Sequence, residues 1–242
     1  MKTINYVLLI CCFFCLYNKV QGQTPVNGYA KVSAIGGTTL TVANVSETYD
    51  TFEDGEYVIV MQVQADVIGG NTGNSASFGN LSAIGSAGLY EVARISSHTE
   101  SLGLPVTITL TGALSNTYTT TANTSVQVIT FPVLGSPDYT TTTDISAVAW
   151  DGNRGGAVAF WVQGILTLAH NISANATGFR GGSKNTPNGY SACDAVTYCT
   201  ALATRYAGKG EGIYKSTTAG YQAARGKILN GGGGGNDVNA GG

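Results

Sequence analysis

Apolar and polar residues alternate with a period of two through the first half of the chain. In "PVTITLT", Val106, Ile108 and Leu110 fall on one face and Thr107, Thr109 and Thr111 on the other, as in a half-buried strand. "TTLTV" repeats this with Leu40 and Val42. "EYVIVMQVQ" predicts Tyr57, Ile59, Met61 and Val63 inward, with Gln62 and Gln64 outward. "GLYEVARI" and "SVQVITF" bring the set to five strands, and "GYAKVSAI" supplies a sixth. Turn residues separate them at "IGG" (35–37), "EDGE" (53–56) and "GGNTGNS" (69–75). Residues 23–136 are therefore expected as one compact antiparallel β barrel or sandwich.

The texture then changes. "FPVLGSPDYTTTTD", with its prolines and threonine run, reads as an exit segment, and 137–144 as a linker. Over 145–182 the apolar runs shorten: "ISAVAW" and "AVAFWV" flank the turn "DGNRGG", and "ILTL" and "NISAN" follow. Such short strands suit a β-solenoid, in which each coil buries its face against the next. A hairpin meander is the alternative. From 183 to 242 the chain is glycine-rich and irregular, ending in "ILNGGGGGNDVNAGG". Glycine there points to backbones packed closely together, with the final dozen residues expected to lack the neighbours that packing needs.

The N-terminus alters the account of what is mature protein. Lys2, the apolar run "YVLLICCFFCLY" and "VQG" follow the order of a secretory signal peptide, placing residues 1–22 in the leader. The run is too short to span a bilayer core of about 20 apolar residues, so no membrane span is expected after cleavage. Export from the cytoplasm is therefore expected. Cleavage removes Lys2 and Lys19, shifting a balance of 12 basic against 14 acidic residues further to the acidic side. No basic stripe remains that would replace counterions on nucleic acid.

Two of the five cysteines, Cys193 and Cys199, survive in "SACDAVTYCT". In an oxidising compartment they are expected to pair and close a loop. A helix through Ala192, Val196 and Ala203 is the competing reading. The two exclude each other, because six helical residues advance about 9 Å and a disulfide tolerates a Cα separation of only about 4.4–6.8 Å.

Candidate chemistry is sparse. His98 lies in the polar stretch "ISSHTE", expected as a solvated turn, and His170 continues the face of Leu166 and Leu168. Neither has the companions a zinc site needs. "IGSAG" lacks the spacing of a nucleophile elbow, and "GKGEG" lacks the Ser or Thr that follows lysine in a phosphate loop. Asp50, Glu53, Asp54 and Glu56 crowd one turn, "YDTFEDGE". The "DG" there is a turn signal, and the four carboxylates are also weak candidates for calcium, which prefers several oxygen ligands from one loop. No catalytic or cofactor-binding motif is found.

The ordered phrases "DGEYVIVMQVQ", "NSASFGN" and "AGLYEVA", followed by "GILTLAHNISANATGFRGG", "GKGEG" and "GGGGGNDVNAGG", resemble one family. It comprises the N-terminal module and glycine-rich block of large gliding-motility-associated or adhesin-like surface proteins of Bacteroidota. The resemblance covers nearly the whole mature chain, although each phrase is structural and none catalytic. Family members carry repeat arrays and a C-terminal type IX sorting domain, neither of which this sequence contains. The resemblance therefore implies a piece of a longer surface protein, non-enzymatic, with surface glycans or other cell-surface proteins as partners. The alternative is a carbohydrate-active enzyme of β-solenoid lyase or glycosidase type, or its carbohydrate-binding accessory.

Overall fold

The computed structural model describes residues 24–80, 82–184, 196–202, 206–215, 217–228 and 231–235. The expected leader, Cys193 and hence the expected Cys193–Cys199 bridge lie outside the described residues, as does the end of the glycine tail. The protein is all-β. A two-residue strand, β1 (Thr24–Pro25), precedes six longer ones: β2 (Tyr29–Gly36), β3 (Thr39–Ser46), β4 (Tyr57–Gln64), β5 (Tyr90–Ser101), β6 (Leu104–Leu110) and β7 (Ser125–Thr130). These six close into a barrel in the order β2-β3-β6-β5-β4-β7, every neighbouring pair antiparallel. Closure removes the edge strands that an open sandwich would expose.

The alternation read from the sequence fills the barrel. Leu40, Val42, Ile108 and Leu110 point inward to meet Val32, Val58, Ile95 and Val128. Each such side chain contributes roughly 1.5–3 kcal/mol by leaving water.

One strand runs with the opposite phase. In β4 the inward residues are Val58 and Val60, while Tyr57, Ile59, Met61 and Val63 are on the outer face. Gln62 and Gln64, expected outside, are buried. The run is apolar at both parities because both faces are covered, so alternation could not set the phase. The glutamines are satisfied by backbone groups: Gln62 Oε1 accepts from Thr119 N at 2.8 Å, and Gln64 Nε2 donates to Gly212 O at 2.6 Å.

Beyond the barrel the strands are short and parallel. β8 (Tyr139–Thr140) pairs with β10 (Leu166–Thr167), while β9 (Ile145–Ser146) lies between β1 and β11 (Ile172–Ser173). Val133 and Trp161 add a further parallel bridge. The pass through 133–150 is thus overlaid by the pass through 161–177, with an offset of 27 residues at both strand pairs and 28 at the Val133–Trp161 bridge. Asp138 Oδ1 accepts from Ile165 N and Asp144 Oδ1 from Asn171 N, each across 27 residues. β10 falls in "ILTL" and β11 in "NISAN". Residues 137–144, expected as a linker, carry β8 and both aspartates. Parallel pairing is not what a hairpin meander would produce.

The first pass lies against the outside of the barrel. All six residues of β7 are buried, which needs cover on both faces. Gln127 supplies much of the attachment, accepting from Gly155 N at 2.8 Å and donating to Gly155 O at 3.2 Å. Tyr29 Oη donates to Ala157 O at 2.5 Å, and Asn27 accepts from Ala159 N at 3.1 Å.

Candidate functional site

The acidic turn entering β4 forms one wall of a pocket of about 320 Å³ whose lining includes Asp50, Glu53, Glu56, Tyr57 and Val133. Gly55, at φ 89°, makes the tight "DG" turn, and Glu56 N donates to Glu53 O at 3.2 Å to close it. Burial raises the Asp50 carboxyl above its usual range, against the hydrogen bonds from Thr130 and Thr51. Glu53 accepts from the Thr51 hydroxyl at 2.9 Å.

The fourth carboxylate, Asp54, turns away to β5. Its Oδ1 lies 2.7 Å from His98 Nδ1, while Glu100 lies 3.3 Å from Nε2. His98 is therefore a strand residue held between two acids, with a side chain only 17% exposed, rather than a solvated turn residue. Among the described residues, no group of three or more His, Cys, Asp or Glu side chains is arranged to hold a metal ion. The four calcium candidates thus divide into three pocket-lining carboxylates and one histidine partner. His170 sits at the edge of the second pass with Nδ1 3.7 Å from Asp144 Oδ1.

Two aromatic side chains stand beside this pocket. The rings of Tyr57 and Trp161 meet edge to face at 6.2 Å, both partly exposed, with the Arg94 guanidinium 5.8 Å from the Tyr57 ring centre. Trp161 reaches this place because its N–H donates to Pro132 O and its carbonyl accepts from Leu134 N. That contact depends on the parallel bridge to Val133, which sequence spacing could not reveal. The pair forms a small aromatic platform bordered by carboxylates, an arrangement able to stack on a sugar ring or hold a cation.

A polar seam joins the barrel to the glycine-rich block. Lys215 Nζ donates to the Ser125 hydroxyl at 2.9 Å, Gly152 O at 3.1 Å and Asn153 Oδ1 at 3.3 Å. Tyr214 forms a parallel bridge to Ala65, just beyond β4. In the block, Gly210 N donates to Gly232 O at 2.9 Å, Gly234 N to Ala224 O at 2.7 Å and Ala207 N to Gly235 O at 3.0 Å. The Gly231–Gly235 stretch thus has the neighbours expected to be missing there. A Cβ at Gly233 would overlap Arg225 O, and one at Gly234 would overlap Ala207 O, so glycine is required by close approach.

Lys209 is the most perturbed amine. Burial pulls it down to about 8. Its ammonium donates to Tyr198 O and Ala223 O and lies 4.8 Å from the Phe78 ring centre.

The remaining feature is the open side of the second pass. Among the described residues, β10 pairs only with β8, and β11 only with β9. Ile165 is 69% and Leu168 61% exposed there, against 2% for Ile145 in the pass below. No helix among the described residues is long and apolar enough to cross a membrane. No protein family, curated protein or solved structure matches the chain.

Proposed function

We propose that the protein is a non-enzymatic, exported surface module with a structural or adhesive role, whose barrel caps a β-solenoid-like stack. The observation that carries this reading is the double cover of β7. Its inner face fills a barrel packed with side chains, and its outer face receives the first parallel pass through Gln127 and Gly155. A barrel used in this way ends a stack that would otherwise present an open edge to other strands. The resemblance to adhesin-like surface proteins of Bacteroidota, the leader-like N-terminus and the surface rich in Thr, Ser and Asn support the same reading. Surface glycans or other cell-surface proteins are the proposed partners, and a Cys193–Cys199 bridge fits an exported chain.

Purified protein covering 23–242 tests this against a panel of bacterial and host surface glycans, with binding and product formation both measured. Saturable binding without cleavage fits an adhesive module. Turnover of any glycan contradicts it.

The carbohydrate-active alternative draws its support from the Tyr57–Trp161 platform beside Asp50, Glu53 and Glu56. A carbohydrate-binding accessory would use the aromatic rings for stacking and the acids for hydroxyl contacts. A lyase or glycosidase would also require acid and base groups placed across a cleft. Loss of glycan binding on Trp161→Ala, with the fold intact, favours the accessory form of this reading.

A further inference from the structure

We infer that the open edge of the second pass is a self-association surface that pairs with the same surface of a second copy of this chain about a two-fold axis.

The edge is unfinished in a specific way. Parallel pairing between the two passes uses one side of β10 and β11, and among the described residues the other side has no strand partner. Main-chain donors and acceptors along such an edge are ready to pair with another strand. Trp161, Ile165, Leu166, Leu168 and Ile172 add an apolar surface beside it, all five exposed. The pairing already made one layer below shows that this stretch of chain is shaped for strand-on-strand contact.

Charge favours a like partner. From Trp161 to Phe179 the sequence contains no Asp, Glu, Lys or Arg. Edges that must stay single are usually protected by inward charges, lysines, prolines or bulges. None of the first three protects the strands here, and two copies meeting across an uncharged edge incur no like-charge repulsion.

The steps of the stack select a two-fold arrangement over a filament. β10 and β11 belong to the same pass, so the upper edge ends level in both columns. The lower side is stepped, because β1 adds a strand beneath β9 while none of the described residues forms a strand beneath β8. A level edge fits its own copy better than it fits a stepped underside. Head-to-tail stacking, which would generate an open fibre, is therefore disfavoured.

This inference is independent of the adhesive reading, since its test reads mass and not glycan binding. The mass of the 23–242 protein is measured by light scattering and sedimentation over roughly 1–100 μM, a range in which weak to moderate interfaces associate. The expected result is a concentration-dependent two-chain species. Leu168→Lys should weaken it at least about tenfold by placing like charges across the contact. Leu102→Lys, at the fully exposed turn between β5 and β6, should leave it unchanged. Far-ultraviolet circular dichroism and thermal unfolding at low concentration confirm that both variants fold. A wild type that stays monomeric throughout, a dimer indifferent to Leu168→Lys, or growth into larger species would each overturn the proposal.

Discussion

Lys215 lies 90 residues after Ser125 in the chain, and its ammonium donates to the Ser125 hydroxyl at 2.9 Å. The relay continues, with Ser125 donating to Gln64 Oε1 at 3.0 Å and Gln64 Nε2 donating to Gly212 O at 2.6 Å. Three segments distant in sequence, the end of β4, the start of β7 and residues 212–215 of the glycine-rich block, are held by one chain of donors and acceptors. Lys215→Met removes the first donor, which takes the ammonium from Asn153 Oδ1 and leaves Gly152 O to the Ser125 hydroxyl alone. The expected cost is about 1–3 kcal/mol in urea unfolding monitored by tryptophan fluorescence. Proteolysis should find the segment after Gly210 more readily in the variant than in the wild type.

Gly234 in the glycine-rich block and Gly178 just after the second pass make a contrasting pair of predictions. Gly234→Ala would press a methyl into Ala207 O and should cost about 1–3 kcal/mol. Gly178→Ala meets no atom within 4 Å and should change stability by less than about 0.5 kcal/mol. Thermal unfolding of the two variants side by side separates close packing from a general intolerance of side chains.

His98 links the acidic turn to pH. Burial by itself would lower its pKa, but hydrogen bonds and charge from Asp54 and Glu100 outweigh that and raise it above 6.5. Raised in the folded state, it contributes stability fully present below pH 6.5 and lost as pH climbs through the folded value. Titration of its ring resonances should give a midpoint above 6.5, and Asp54→Asn should lower it. A wild-type midpoint at or below 6.5 would rule this out.

Lys209 shifts in the opposite direction. With its amine at about 8 in the fold and 10.5 when unfolded, the unfolded chain binds more protons between those values. Stability from this group therefore rises with pH across that window. Lys209→Met should flatten that rise. Acetylation of Lys209, which lines a polar pocket with Gln222 and Tyr221, should be half-maximal near pH 8. Ordinary surface lysines reach that point near about pH 10.4.

The legible parts of the fold were those with enough residues to show a period. Ile108 and Leu110 alternate with threonine and fill the barrel as that pattern predicts, whereas Val106, on the same face near the start of β6, is exposed. β4 was found but its phase was inverted, because Tyr57, Ile59, Met61 and Val63 are apolar on a face covered by the parallel pass. The parallel layer itself was legible only as a texture. Strands of two residues, such as Tyr139–Thr140, hold no periodicity, and their partners lie a full pass away. The acidic turn was found by composition, while its aromatic neighbour was not, since Trp161 meets Tyr57 only through pairing at Val133. Lys215 gave no signal either, because a single lysine in a glycine-rich stretch reads as solvated.

The parallel register is the premise on which the proposed capped stack and the proposed self-association both rest. Thr140 and Thr167 are opposed across β8 and β10, at a spacing suited to a disulfide between neighbouring strands. A double substitution, Thr140→Cys with Thr167→Cys, in a chain whose Cys193 and Cys199 are replaced by serine, should cross-link rapidly under mild oxidation. Thr140→Cys with Leu168→Cys, one residue out of register, should cross-link far more slowly. Equal rates, or faster closure of the out-of-register pair, would contradict the parallel stack.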